Sequence, residues 1–194
     1  IFGDIAGRML WTGNREQANA VLSGLQERGV AAEGLIHGSA TYPLALAWGE
    51  GVPLRYLLNG DKPQVVLIGL PRSRHDRLMH MQTDLATLGR VLLSVAAAYP
   101  GAVSIVSSAD LSHTHTTQSP YGFHASAAEF DATVQAWAAA PTRDKLERML
   151  AMQPTALACG TAGMCVLQTV LEAAPLPCRQ LVYAAPTYFG MAVA

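Results

Sequence analysis

The chain has 194 residues, 51% of them apolar and only 14% charged, with a formal net charge of −1. That length fits one domain with a sizeable core, and that apolar content excludes intrinsic disorder. The lack of any basic run excludes an electrostatic footprint for nucleic acid, and no apolar stretch approaches the roughly 20 residues of a membrane span.

In chain order, Asn14 to Arg28 (NREQANAVLSGLQER) spells an amphipathic helix capped by Asn14 and stopped by Gly29. Ala18, Val21, Leu22 and Leu25 fall on one of its faces. VVLIGL (65–70) and VSIVSS (103–108) are short, β-branched apolar runs of the kind found in strands covered on both sides. A long apolar helix, about Met79 to Ala98, separates them and ends at Tyr99-Pro100-Gly101. Residues 65–108 are therefore expected to form one right-handed β-α-β unit.

Ser126-Ala-Ala-Glu129 spells a capping box that opens a helix carrying Phe130, Val134 and Trp137. Thr142 to Met152 predicts a short helix and Gly160 to Ala174 a buried one, with closing strands at 181–186 and 189–194. The alternation predicts an α/β fold, a layered α/β/α domain around a mostly parallel or mixed sheet. No linker or repeat divides residues 1–194, so a single domain is expected. The chain begins Ile-Phe-Gly rather than with Met, as expected of a truncated or processed product. Cys159, Cys165 and Cys178 are odd in number and form no C-x-x-C pair, and no signal peptide is visible, which points to the cytoplasm.

Three of the six histidines fall between Ser107 and Asp131 (SSADLSHTHTTQSPYGFHASAAEFD). Ligands of open α/β sheets gather where strands end, and Ser107 to His115 leaves the run 103–108 at such an end. His113 there can shuttle a proton, oriented by Asp110 through its second ring N–H. A solvated turn explains the same residues without function. His-x-His is too short to name a metal unless a carboxylate or thiolate elsewhere completes the set. The other histidines, His37, His75 and His80, lie upstream, the last two beside Arg72, Arg74 and Arg77 on what reads as a solvated face. Cys159 reads as a small buried filler and Met149, Met152 and Met164 as core.

Ser108-Ala-Asp-Leu-Ser-His113, then Ser119-Pro-Tyr-Gly-Phe123 and Glu129-Phe-Asp131, resembles the S-G-D-L-S-H…P-Y-G…E-F-D signature of the catalytic subunits of class III extradiol ring-cleavage dioxygenases. Gly49-Glu-Gly-Val-Pro-Leu-Arg-Tyr-Leu57 is similar to that family's D-H-G-x-x-V-P-L-x-F-L segment, and Tyr183 to Ala194 is similar to its closing segment. The resemblance implies Fe(II) held by two histidines and a glutamate, a catechol-type substrate that chelates it, and O2 insertion beside the diol. It implies His113 as acid/base residue, with Asp110 and Ser112 in the same catalytic loop. His115, Tyr121, His124, Trp48 and Pro53 are the implied substrate contacts.

The same alignment puts Trp48 where the family has the histidine of D-H-G, and Ala158 where it has the ligand glutamate. Alanine offers no lone pair to iron, and tryptophan one N–H donor and no acceptor. The two histidine ligands belong to family segments upstream of Ile1, which leaves His37 as the one histidine before Trp48. Three readings follow. One is an Fe(II)-dependent ring-cleavage enzyme acting on a small aromatic diol. Another is a catalytically silent subunit or ligand-binding homologue, in a homo-oligomer or alongside a partner subunit. The third is an enzyme with a rewired site, drawn from His37, His115, His124, Asp110 or Glu50, that uses His113 as acid/base.

Overall fold

A computed structural model describes residues 2–3, 10–35, 43–58, 63–70 and 78–194. It is a mixed α/β structure whose chain divides into two compact units, Ile1–Gly69 with Ser94–Val103, and Leu70–Leu93 with Ser104–Ala194.

The first unit contains β1 (Phe2–Gly3), β2 (Leu10–Trp11), α1 (Arg15–Gln26), β3 (Leu44–Ala45) and α2 (Trp48–Leu58). β1 lies between the other two strands, antiparallel to β2 and parallel to β3. Asn14 caps α1 as its sequence predicts, its side chain accepting from the Gln17 N–H at 3.0 Å. Val21 and Leu25 carry the buried face, and Gly29 leaves the helix at φ 75°, a conformation open to glycine without cost. Val65 bridges to Gly13 in parallel, but residues 66–70 join no ladder among the described residues.

α3 (Leu78–Ala98) is the predicted long apolar helix; Leu85, Leu88 and Val91 are buried. Residues 103–108 depart from expectation. They join no ladder among the described residues, and Val103 and Val106 are 48% and 58% exposed. β-branched residues favour a pleated surface only where neighbouring strands and side chains cover them. The described sheets, of three and two strands, therefore include no strand at 103–108.

The second unit is built on α4 (Ser126–Ala139), α5 (Arg143–Ala156) and α6 (Thr161–Ala173), with α4 packed on α5 and α5 on α6. Phe130, Val134 and Trp137 are buried on α4, as are Leu146, Met149 and Leu150 on α5. The Trp137 indole N–H donates to Gln168 Oε1 at 2.7 Å, so its polar edge is satisfied inside the core. Gly89 of α3 lies so close to α6 that a Cβ there would sit 2.9 Å from the Val166 carbonyl. The capping box does not form. The Ser126 hydroxyl lies 2.8 Å from both His124 Nδ1 and Thr155 Oγ1, and Glu129 pairs with Arg148 at 2.6 Å. The closing strands pair antiparallel as a hairpin, β4 (Val182–Ala184) with β5 (Met191–Val193).

Candidate acid–base site

α5 runs four residues beyond its predicted end at Met152, through Pro154 to Ala156. A helix leaves its last carbonyls without intrahelical donors, and here the histidine loop supplies them. Thr114 Oγ1 donates to the Thr155 carbonyl at 3.1 Å and Ser112 Oγ to the Ala156 carbonyl at 3.0 Å. The His113 backbone N–H also donates to the Ala156 carbonyl, at 2.8 Å. The His113 ring completes the cap by donating from Nδ1 to the Leu157 carbonyl at 2.8 Å. Leu157 sits in the left-handed region (φ 53°, ψ 37°), which a leucine rarely adopts, and there its carbonyl meets the imidazole.

That bond fixes the ring chemically. A carbonyl only accepts, so Nδ1 carries the proton, and the neutral ring keeps a lone pair on Nε2. Nε2 lies 3.6 Å from Asp110 Oδ2, close enough for electrostatic coupling and too far for a hydrogen bond. The orienting partner that the sequence assigned to Asp110 is thus the Leu157 carbonyl, and Asp110 faces the other nitrogen. The two side chains are 13% and 15% exposed. Burial raises the Asp110 carboxyl above its usual range, and the His113 charge partly offsets this. Cys159, half-buried rather than a buried filler, holds the Asp110 peptide: its sulfur accepts from the Asp110 N–H at 3.1 Å and donates to the Asp110 carbonyl at 3.5 Å.

Aromatic rings surround His113. Phe189 stacks on it at 5.8 Å, Tyr121 meets it edge-on at 5.9 Å, and Tyr188 lies tilted at 6.1 Å. Tyr121 is placed by the Ser119-Pro-Tyr-Gly122 turn, closed by the Gly122 N–H on the Ser119 carbonyl, with Gly122 at φ 76°. Ser119 Oγ ties this turn to the loop by donating to the His113 carbonyl at 2.7 Å.

Behind the loop lies Asp131, on α4 and 1% exposed. Its Oδ1 accepts from the Ser112 N–H at 2.9 Å, and its Oδ2 from His115 Nε2 at 2.6 Å and the Tyr183 hydroxyl at 2.8 Å. Burial, then the bond to Asp131, pushes the Tyr183 hydroxyl well above its usual range. β5 is reached through Tyr188 and Gly190: the Leu111 N–H donates to the Gly190 carbonyl, the Gly190 N–H to the Ser112 carbonyl, and the His115 N–H to the Tyr188 carbonyl. A Cβ at Gly190 would run into the Asp131 carboxylate, so that close approach needs glycine.

The structure thus brings His113, Asp110, Ser112, His115 and Tyr121 together. Ser112 is fully buried and holds the end of α5. His124 accepts the Ser126 N–H at 3.2 Å, at the start of α4. Trp48, 64% exposed, and Pro53 lie on α2 in the other unit, and His37 and His75 lie outside the described residues. Sequence alone does not single out Asp131, Leu157, Tyr183, Tyr188 or Phe189 as site residues. The usable signal is Asp131 itself, a carboxylate between Phe130 and Val134 on an apolar helix.

Iron finds no ligand set among the described residues, where no group of three or more His, Cys, Asp or Glu side chains is placed to hold a metal. Ala158, at the position aligned with the family's glutamate, is 3% exposed and has no donor atom to offer. The described residues therefore do not fit the two-histidine, one-carboxylate set.

No curated protein shows a significant sequence match to the chain. The family model for the catalytic LigB subunit of aromatic ring-opening dioxygenase matches residues 8–193, nearly the whole chain. With the histidine loop, its aromatic surround and this match in agreement, the chain belongs to the LigB family of aromatic ring-opening dioxygenase catalytic subunits.

Proposed function

We propose that the protein binds a dihydroxylated aromatic ring against His113 and takes a proton from it there, the acid–base part of the ring opening for which its family is named. One observation carries this reading: the Leu157 carbonyl holds the proton on His113 Nδ1, so Nε2 of the neutral ring is a base. A phenolic hydroxyl within hydrogen-bond reach of Nε2 gives up its proton to it. Asp110 then faces the imidazolium at 3.6 Å and stabilises the charge it has gained. Phe189, Tyr188 and Tyr121 supply the apolar faces and edges that a flat ring packs against. His115 and His124, on the same loop, are further substrate contacts in this reading.

Extradiol cleavage and a cytoplasmic location belong to the same proposal, supported by the family match and by the cysteine usage; Fe(II) dependence rests on the family match alone, with its ligands drawn from outside the described residues. So do a single family domain with the layered α/β/α arrangement and assembly into a homo-oligomer or with a partner subunit. The family match supports the layered arrangement.

Calorimetric titration with catechol under nitrogen tests the reading. Saturable binding is expected, weakened about tenfold, or roughly 1.4 kcal/mol, by His113→Ala. Absence of saturable binding would overturn it. Ala158 favours a second reading, a catalytically silent ligand-binding homologue or subunit. Oxygen uptake with catechol and added Fe(II), lost in His113→Ala, would rule that second reading out.

A further inference from the structure

We propose that Asp131 is a positioning residue for His113, which deepens the acid–base reading and rests on it. The Asp131 carboxylate grips the loop on both sides of His113. Oδ1 accepts the peptide N–H of Ser112, immediately before it, and Oδ2 accepts His115 Nε2, two residues after it. The Tyr183 hydroxyl on β4 is the third donor, so one carboxylate joins α4, the loop and the hairpin. Between these anchors the chain can place His113 only where its N–H reaches the Ala156 carbonyl and its ring reaches Leu157.

The choice of residue follows from donor counting. Three donors converge on one buried point, and a carboxylate is the side chain that accepts all of them while donating nothing. An apolar residue would leave the Ser112 N–H, His115 Nε2 and the Tyr183 hydroxyl without this acceptor. Asparagine keeps the acceptor for Ser112 but presents an NH2 group to the other two, so His115 must change tautomer to meet it. The loop survives that exchange only by rearranging. A shift there moves the His113 ring off the Leu157 carbonyl, and the proton is no longer confined to Nδ1.

The test reads the His113 ring directly. Nitrogen-15 resonances of the imidazole report which nitrogen carries the proton, with no substrate present. In the wild-type chain His113 is expected in the Nδ1–H form. Asp131→Ala and Asp131→Asn are expected to move it towards the Nε2–H form, with Tyr183→Phe giving a smaller shift in the same direction. Val134→Ala, a destabilising change on the same helix, is expected to leave the His113 resonances in place, which separates positioning from general loss of stability. Where Asp131→Ala fails to fold, Asp131→Asn and Tyr183→Phe decide the matter. Wild-type His113 resonances in folded Asp131→Asn and Tyr183→Phe would overturn the proposal. Because the readout involves no ligand, a failure of catechol binding leaves it standing as a test of Asp131 alone.

Discussion

Residues 103–108 and residues 110–115 adjoin in sequence and contrast in almost every physical respect. The first stretch is the more apolar, yet Val103 and Val106 are exposed and no ladder among the described residues includes them. The second is polar, and its peptides and side chains are bonded to α4, the end of α5 and the residues leading into β5. Hydrophobicity rewards burial wherever burial can be found, whereas hydrogen bonds must be made to particular atoms at particular distances. In this chain the precise placement belongs to the polar stretch.

The contrast can be broken or sharpened by substitution. Phe130→Ala empties a fully buried site on α4 and should cost about 3–5 kcal/mol, read from the midpoint of a urea transition. Gly190→Ala forces a methyl group against the Asp131 carboxylate and should cost about 1–3 kcal/mol by the same measurement. The Asp110 change is smaller and depends on pH. Its carboxyl is raised in the folded state by burial, so its contribution is fully favourable below the ordinary value of 3.8 and is lost as pH rises through the raised folded value. Relative to wild type, Asp110→Asn should therefore gain stability as pH climbs through that window and hold a constant difference above it, as a urea series at stepped pH would show. Least affected is Val106→Ser, expected within about 0.5 kcal/mol because the side chain is already 58% exposed. A loss of more than about 1.5 kcal/mol there would mean that the run is covered in solution and would erase the contrast.

Helices α1 and α3 to α6 are legible because each announces itself locally, whereas α2, with Pro53 inside it, is not. Asn14 and Thr142 sit where caps belong and both accept from the first turn of their helices, while the apolar spacing names the buried Phe130, Val134 and Trp137 of α4 and Met149 of α5; Met152, also expected in the core, is only half-buried. The closing strands are legible as well, and they pair with each other. Strand pairing for 66–70 and 103–108 does not follow, because an apolar run states a preference for burial but not which partner will satisfy it. The Ser126 capping box fails for a related reason: its two side chains find other partners, His124 nearby and Thr155 and Arg148, which only the fold brings close.

At the site, His113 and Asp110 can be found from spacing and resemblance, but the geometry between them cannot. The ring is oriented by a backbone carbonyl, and a carbonyl belongs to every residue and so marks none. The left-handed turn at Leu157 is equally hidden, since leucine there contradicts its own preference. Asp131 is visible as a charge on an apolar face, although its three donors come from residues 112, 115 and 183 and meet only in the folded chain.

Because the imidazole takes its protonation pattern from the last carbonyl after α5, the length of that helix acts as a gauge. Each residue inserted or removed between Thr142 and Ala156 turns the terminal peptide by about 100° around the axis and shifts it by about 1.5 Å. A single such change would aim the carbonyl away from His113 without touching any side chain near it.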